Sequence, residues 1–260
     1  MNNIRVICST FKLHLSQSFS RATFRFCIIV QPLIYTFILY MMYRNSGIEN
    51  YINNVILGSG LCSLWSAICF SSAGDIERER YMGTLENIFC CPSRFTTIML
   101  GKILANTFLG LTGMLLSITF TKLFFNQSMI VINPVEFLVS FILMLFSFVS
   151  VSLIICPIFT LSKNARALMN CLEYPIFIIG GFVFPVSMLP NIIKPISYIF
   201  SPMWAIEILK ESSFGIINMN SFYKKVTLLI IISIVYIAIS KLLFNKIDKK
   251  TRIEGTLGVS

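Results

Sequence analysis

GDIERERYMGTLENIF, Gly74 to Phe89, is the most charged stretch of a very apolar chain. It carries Asp75, Glu77, Arg78, Glu79, Arg80 and Glu86, yet apolar runs long enough to cross a bilayer stand on both sides of it. Which side of a membrane this cluster faces, and what it meets there, decides how the rest of the chain is read. The 260 residues are 56% hydrophobic and 12% charged, with a mean hydropathy of +0.80. A soluble domain carries about twice that share of charge. Long apolar runs with so little charge point to a membrane protein.

A helix needs about 20 residues to cross roughly 30 Å of hydrocarbon. Six runs are candidates: residues 26–43, 54–73, 102–121, 136–160, 172–189 and 225–244. With the N-terminus inside, fifteen of the 21 Lys and Arg fall in the inner segments and six in the outer ones. That bias predicts both termini in the cytoplasm. The charged stretch then belongs to an inner loop, 74–100. The net charge of +10 reports this cytoplasmic excess and gives no reason to expect nucleic acid.

The fold expected is all-α: one polytopic membrane domain over residues 1–260 with six transmembrane helices. Residues 1–25 read as an amphipathic interface helix. Ile4, Ile7, Cys8, Phe11, Leu15 and Phe19 recur at helical spacing, with Arg5, Lys12 and Arg21 between them and no acid before Glu49. Contact with membrane lipid is expected there. Residues 190–215 are apolar but cut by Pro190, Pro195 and Pro202. They read as an extracellular re-entrant hairpin followed by an amphipathic stretch from Met203 to Lys210, since broken helices at membrane depth must be buried in protein or line a cavity. Residues 245–260 form a cytoplasmic tail.

The second run carries Ser59, Ser63, Ala67 and Ser71 at intervals of four, a small-residue face that lets another backbone approach closely. Packing inside the bundle is the ordinary use of such a face; lining a substrate path or a dimer contact is the alternative. Glu173, an acid entering the fifth run, joins Ser59, Ser63 and Ala67 as a candidate for that path. The eight cysteines form no pair of CxxC motifs and there is one histidine, so no metal site is expected. The sequence holds no GxxxxGK[ST] phosphate loop, no GxSxG and no HExxH, which argues against an enzyme.

Within the charged loop, Gly83 separates two short helical pieces, Thr84 reads as the N-cap of a helix beginning at Leu85, and Glu86 suits that helix's first turn. The loop resembles the one joining the second and third spans of ABC-type exporter permeases of the type-2 family. The matching residues are Glu79, Arg80, Gly83, Thr84, Leu85, Glu86, Pro92, Ser93, Gly101 and Lys102. A second resemblance lies in GGFVFPVSMLP and the proline-cut segment after it, through Phe182, Phe184, Pro185, Leu189, Pro190, Pro202, Glu207 and Glu211.

The resemblance implies a coupling helix in the loop that docks on a separate P-loop ATPase, which would hold the ATP and Mg, this chain having no cofactor. Asp75, Glu77, Glu79, Arg80, Gly83, Thr84, Leu85 and Glu86 would serve that coupling. Phe182, Phe184, Pro185, Pro190 and Pro202 would form the outer gate. It further implies a second permease copy or a paralogous permease, a bacterial cell membrane, and export of a hydrophobic or amphipathic cargo such as a drug or peptide. An ion-coupled carrier, a glycan or lipid-linked export permease and a non-transporting immunity factor remain alternatives.

Overall fold

The computed structural model describes residues 3–45, 51–162 and 165–254, with side chains for all of these except 23, 69–73, 165–166 and 249–254. Regular structure among them is helical throughout: α1 (Asn3–Ser20), α2 (Ala22–Tyr43), α3 (Tyr51–Tyr81), α4 (Leu85–Cys90), α5 (Phe95–Phe125), α6 (Pro134–Leu161), α7 (Ala165–Ile179), a 3-10 turn at Val186–Met188, α8 (Lys194–Ile199), α9 (Ser201–Phe214) and α10 (Met219–Glu254). Among the described residues, four stretches have the length and composition to cross a membrane: Phe24–Tyr43, Phe95–Phe125, Pro134–Leu161 and Met219–Asp248.

The two remaining expected spans come out differently. Helix α3 covers the second one and continues for 31 residues in all, about 46 Å at 1.5 Å per residue. The first half of the charged stretch is therefore the end of α3 and not a separate short helix. The fifth expected span, 172–189, is not one helix. Helix α7 stops at Ile179 after 15 residues, about 22 Å and short of the hydrocarbon thickness. Gly181 adopts φ +72°. The Gly181 amide bonds Ile178 O at 3.2 Å and the Phe182 amide bonds Phe177 O at 3.2 Å, a Schellman closure that needs a left-handed residue and favours glycine. The turn throws Phe182 back into the bundle.

Helix α3 is the hub. Its Trp65 is fully buried and meets Phe148 of α6, Phe182 and Phe200 with ring centroids 5.7, 6.0 and 5.6 Å away. Edge-on aromatic packing of this kind adds about 0.5–1.5 kcal/mol per pair beyond area burial. Glycines bring α3 and α5 together: a Cβ at Gly110 would sit 2.6 Å from the Leu64 side chain, and one at Gly60 2.6 Å from Met114. Ser59 and Ser63 are buried, and Ser63 packs against Gly113 of α5, which also abuts Pro32 of α2. Ala67 is half-buried. The small-residue face thus packs inside one bundle; the side chain of Ser71 lies outside the described residues.

The stretch expected to be amphipathic, Met203 to Lys210, lies in α9, where Met203, Ala205, Ile206, Ile208 and Leu209 are all buried and the helix packs against α6 and α10. Its Glu207 accepts from Lys225 Nζ of α10 at 2.6 Å, and Glu211 accepts from the same ammonium. Helix α1 docks on α5 with only part of its apolar stripe: Ile7, Phe11 and Leu15 are half-buried, and the Phe11 ring meets Phe108 of α5 at 6.1 Å. Val6, His14 and Ser18 are its buried residues, while Ile4 and Phe19 stay exposed. The exposed part of the stripe, Ile4, Cys8 and Phe19, is open to another environment.

Candidate functional site

The charged stretch builds a polar base where α1, α3, α5 and the end of α6 meet. Asp75 and Glu79 lie one turn apart on α3, and Asn106 and Lys102 lie one turn apart on the antiparallel α5. Lys102 Nζ donates to Glu79 Oε1 at 2.7 Å, and Asn106 Nδ2 donates to Asp75 Oδ2 at 3.4 Å. His14 of α1 and Arg21, just after it, add two more groups to Asp75: Arg21 Nη1 at 3.0 Å and His14 Nε2 at 3.2 Å. His14 is 2% exposed and Asp75 is 4% exposed. Burial, only partly offset by the Asp75 charge, holds the His14 imidazole below its usual pKa. It is therefore neutral at pH 7, and its Nε2 sits 2.9 Å from Asn106 Nδ2 as well as beside Asp75.

The depth of this contact comes from Gly101. A side chain there would run into Thr10 and into the Ile7 carbonyl, 2.9 Å from a would-be Cβ. Gly101 and Lys102 therefore act together: the glycine admits α1 and the lysine holds Glu79. Burial pushes the Glu79 carboxyl up, but Lys102, Thr84 and Arg78 outweigh it and leave the carboxyl below the usual range.

The end of α3 is closed by Gly83 at φ +66°. The Gly83 amide bonds Arg80 O at 3.1 Å and the Thr84 amide bonds Glu79 O at 2.9 Å, the same Schellman closure found at Gly181. The Thr84 hydroxyl turns back to the Glu79 carboxylate instead of capping α4. Thr84 thus holds the expected N-cap position before Leu85, but without a capping bond from its side chain. Arg80 reaches across to the last carbonyls of α6, donating to Thr160 O at 2.7 Å and Ser162 O at 2.6 Å. These are the carbonyls a helix end leaves unsatisfied, and a cation there also suits the helix dipole.

Helix α4 is pinned by Leu85 and Phe89, both buried, with the Phe89 ring stacked on Phe95 at 4.4 Å. Its other face is open. Tyr81 is 92% and Met82 57% exposed, and Glu86, Asn87, Cys90, Cys91 and Pro92 are exposed beside them. The cluster thus divides in two. Asp75, Glu79 and Arg80 face inward and hold helices together, Glu77 is half-buried, and Glu86 with Tyr81 and Met82 faces out.

A family model described as ABC-2 family transporter protein matches residues 42–242. The chain belongs to the ABC-2 transporter family. Among curated proteins none matches. Members of this family are transmembrane permease components, and the all-helical bundle with its apolar spans accords with a multi-pass membrane protein. The match begins after α1, so the docking of His14 and Arg21 lies outside the region that assigns the family.

Of the residues expected at an outer gate, Phe182 is buried in the Trp65 aromatic cluster and Pro202 is buried at the start of α9. Phe184, Pro185 and Pro190 are exposed around the 3-10 turn. Glu173, on α7, is 3% exposed and accepts a hydrogen bond from Ser66 Oγ. Ser66 is the chain neighbour of Ala67 on α3, so Glu173 meets the expected helix through a different serine from Ser59 and Ser63. The residue sequence reasoning missed is His14. Its signal was a polar stripe: Thr10, His14 and Ser18 recur at intervals of four, with Arg21 three further on, beside the apolar stripe.

Proposed function

We propose that this chain is the membrane-spanning permease subunit of an ATP-driven exporter and that the tip of α3 with α4 is where a separate P-loop ATPase docks. What carries this reading is the division of the charged stretch: a solvent-facing tip made of Tyr81, Met82, Glu86 and Asn87, fixed to the bundle by Leu85 and Phe89. A tip so anchored moves with α3 and α5 as one body. Arg80 carries the same displacement to the end of α6. A permease without a nucleotide site receives work only through such a contact, and the ATPase shifts its states only by binding them differently.

The full picture is six crossings, with α3 and α7 completing the four apolar ones, both termini in the cytoplasm of a bacterial cell, and two permeases, identical or paralogous, working with two ATPases that bind ATP and Mg. The exposed part of the apolar stripe of α1 rests on the inner leaflet. The cargo is hydrophobic or amphipathic, and it leaves the cell past Phe184, Pro185 and Pro190.

Purification of the tagged protein from its native membrane in mild detergent, with mass spectrometry of what accompanies it, tests the reading. A subunit bearing a phosphate-loop motif is expected with wild type and is expected to be depleted in Tyr81→Ala/Glu86→Ala. An intact permease with no such subunit would overturn it.

A further inference from the structure

We infer that Glu173 is a recognition carboxylate for a positively charged group on the cargo, so that the molecules moved are amphipathic organic cations. The inference rests on the permease reading above and names its substrate class. Asp75, Glu79, Glu207 and Glu211 each face a basic side chain. Glu173 does not: among the described residues its partner is the Ser66 hydroxyl. The Lys210 ammonium donates instead to Gly181 O at 2.9 Å. A carboxylate taken out of water at 3% exposure, with no counter-charge among the described residues, is costly. A cation brought by a ligand would supply what the fold withholds.

The surroundings select the kind of cation. Gln31 of α2 donates to Ser66 of α3 at 3.3 Å and to the Tyr35 hydroxyl at 2.6 Å, so a polar line joins α2, α3 and α7 at Glu173. One turn further along each helix, Tyr35 meets Phe177 edge-on at 5.8 Å, and Tyr174 meets Phe177 at 6.2 Å. A single carboxylate among aromatic rings suits an organic ammonium or phosphonium; a Ca²⁺ or Mg²⁺ ion would require several oxygen ligands.

The geometry also leaves a way in. Helices α2 and α7 both pack on α3 but scarcely touch each other beyond the Tyr35–Phe177 ring pair. A small cavity lined by Cys27, Gln31, Ser63 and Ala67 adjoins the polar line. Tyr174 and Ile178 are exposed on the outer side of α7, so an amphipathic cation approaching from the bilayer meets apolar and aromatic surface before the carboxylate.

The test is equilibrium binding of radiolabelled tetraphenylphosphonium to the purified full chain in lipid nanodiscs, with empty nanodiscs subtracted and tetraphenylborate, of the same shape and opposite charge, as comparison. Wild type is expected to bind the phosphonium saturably and the borate not. Glu173→Gln, which removes only the charge, is expected to weaken phosphonium binding about tenfold or more, and Glu173→Asp to retain most of it. Size-exclusion and thermal-unfolding profiles matching wild type show that the variants fold. Equal phosphonium binding by wild type and Glu173→Gln, or no saturable binding by wild type, overturns the inference. Co-purification of the ATPase, measured on the same preparations, keeps the two claims apart. Loss of the cation result with the ATPase present overturns this inference alone, and absence of the ATPase with cation binding intact overturns the permease reading and leaves the Glu173 site standing.

Discussion

Removal of the Asp75 carboxylate, as Asp75→Ala, strikes the joint between α1 and the bundle. Asp75 holds Arg21 at 3.0 Å, His14 at 3.2 Å and Asn106 at 3.4 Å, and its side chain is 5% exposed. Breaking a buried ion pair by deleting one partner costs about 3–5 kcal/mol, because the other charge is left uncompensated. Arg21 keeps 25% of its side chain exposed, so part of its charge returns to water and the low end applies, roughly 3 kcal/mol. Asp75→Asn keeps the hydrogen-bonding shape and loses the charge, and is expected to cost about 1–2 kcal/mol. Equilibrium unfolding in mixed micelles, followed by the fluorescence of Trp65 and Trp204, measures both. A double-mutant cycle with Arg21→Ala isolates the pair. Asp75→Ala within about 0.5 kcal/mol of wild type, the range of an ordinary surface change, would refute the claim that this network fixes α1.

Three further outcomes stem from the same base. Arg80→Ala leaves the Thr160 and Ser162 carbonyls without their charged donor and is expected to lower stability by about 1.5–3 kcal/mol in the same unfolding experiment, with Arg80→Lys intermediate. Gly83→Ala forces a Cβ into the left-handed region at φ +66° and is expected to cost about 1–2 kcal/mol, with no Cβ contact within 4 Å to add to it. The lowered pKa of His14 fixes a sign for pH. The unfolded chain takes up a proton near the ordinary histidine value of about 6.5, and the folded one only at lower pH. Stability is therefore fully present above about pH 6.5 and declines as pH falls towards the depressed folded value. His14→Asn should flatten that decline, as read from unfolding midpoints between pH 7 and pH 5.

Much of this was legible in the sequence because the features involved are local. Hydropathy and length found α2 and α6 within a few residues and the middles of α5 and α10, whose ends run well beyond the expected bounds, and Gly83 announced the end of α3. The short reach of α7 was less visible. An apolar run continues through Phe182 to Leu189, and hydropathy does not register that a Gly180–Gly181 pair can close a helix and fold Phe182 back onto Trp65. The inward turn of Asp75, Glu79 and Arg80 was hidden for another reason. Each is held by a partner far along the chain, at Arg21, Lys102 and Thr160, and a charge-dense segment looks the same in sequence whether its charges face water or one another. His14 was passed over because a lone histidine carries no pattern; the stripe of Thr10, Ser18 and Arg21 around it did.

The central claim is that the α3–α4 tip is the surface through which an ATPase drives this permease. A photo-crosslinking amino acid substituted for Glu86 in cells, beside one substituted for Tyr198 on α8, tests it most directly. A crosslinked product containing a phosphate-loop ATPase is expected from the Glu86 position, and none from the Tyr198 position. A stable, membrane-inserted protein whose Glu86 position captures no ATPase would contradict it.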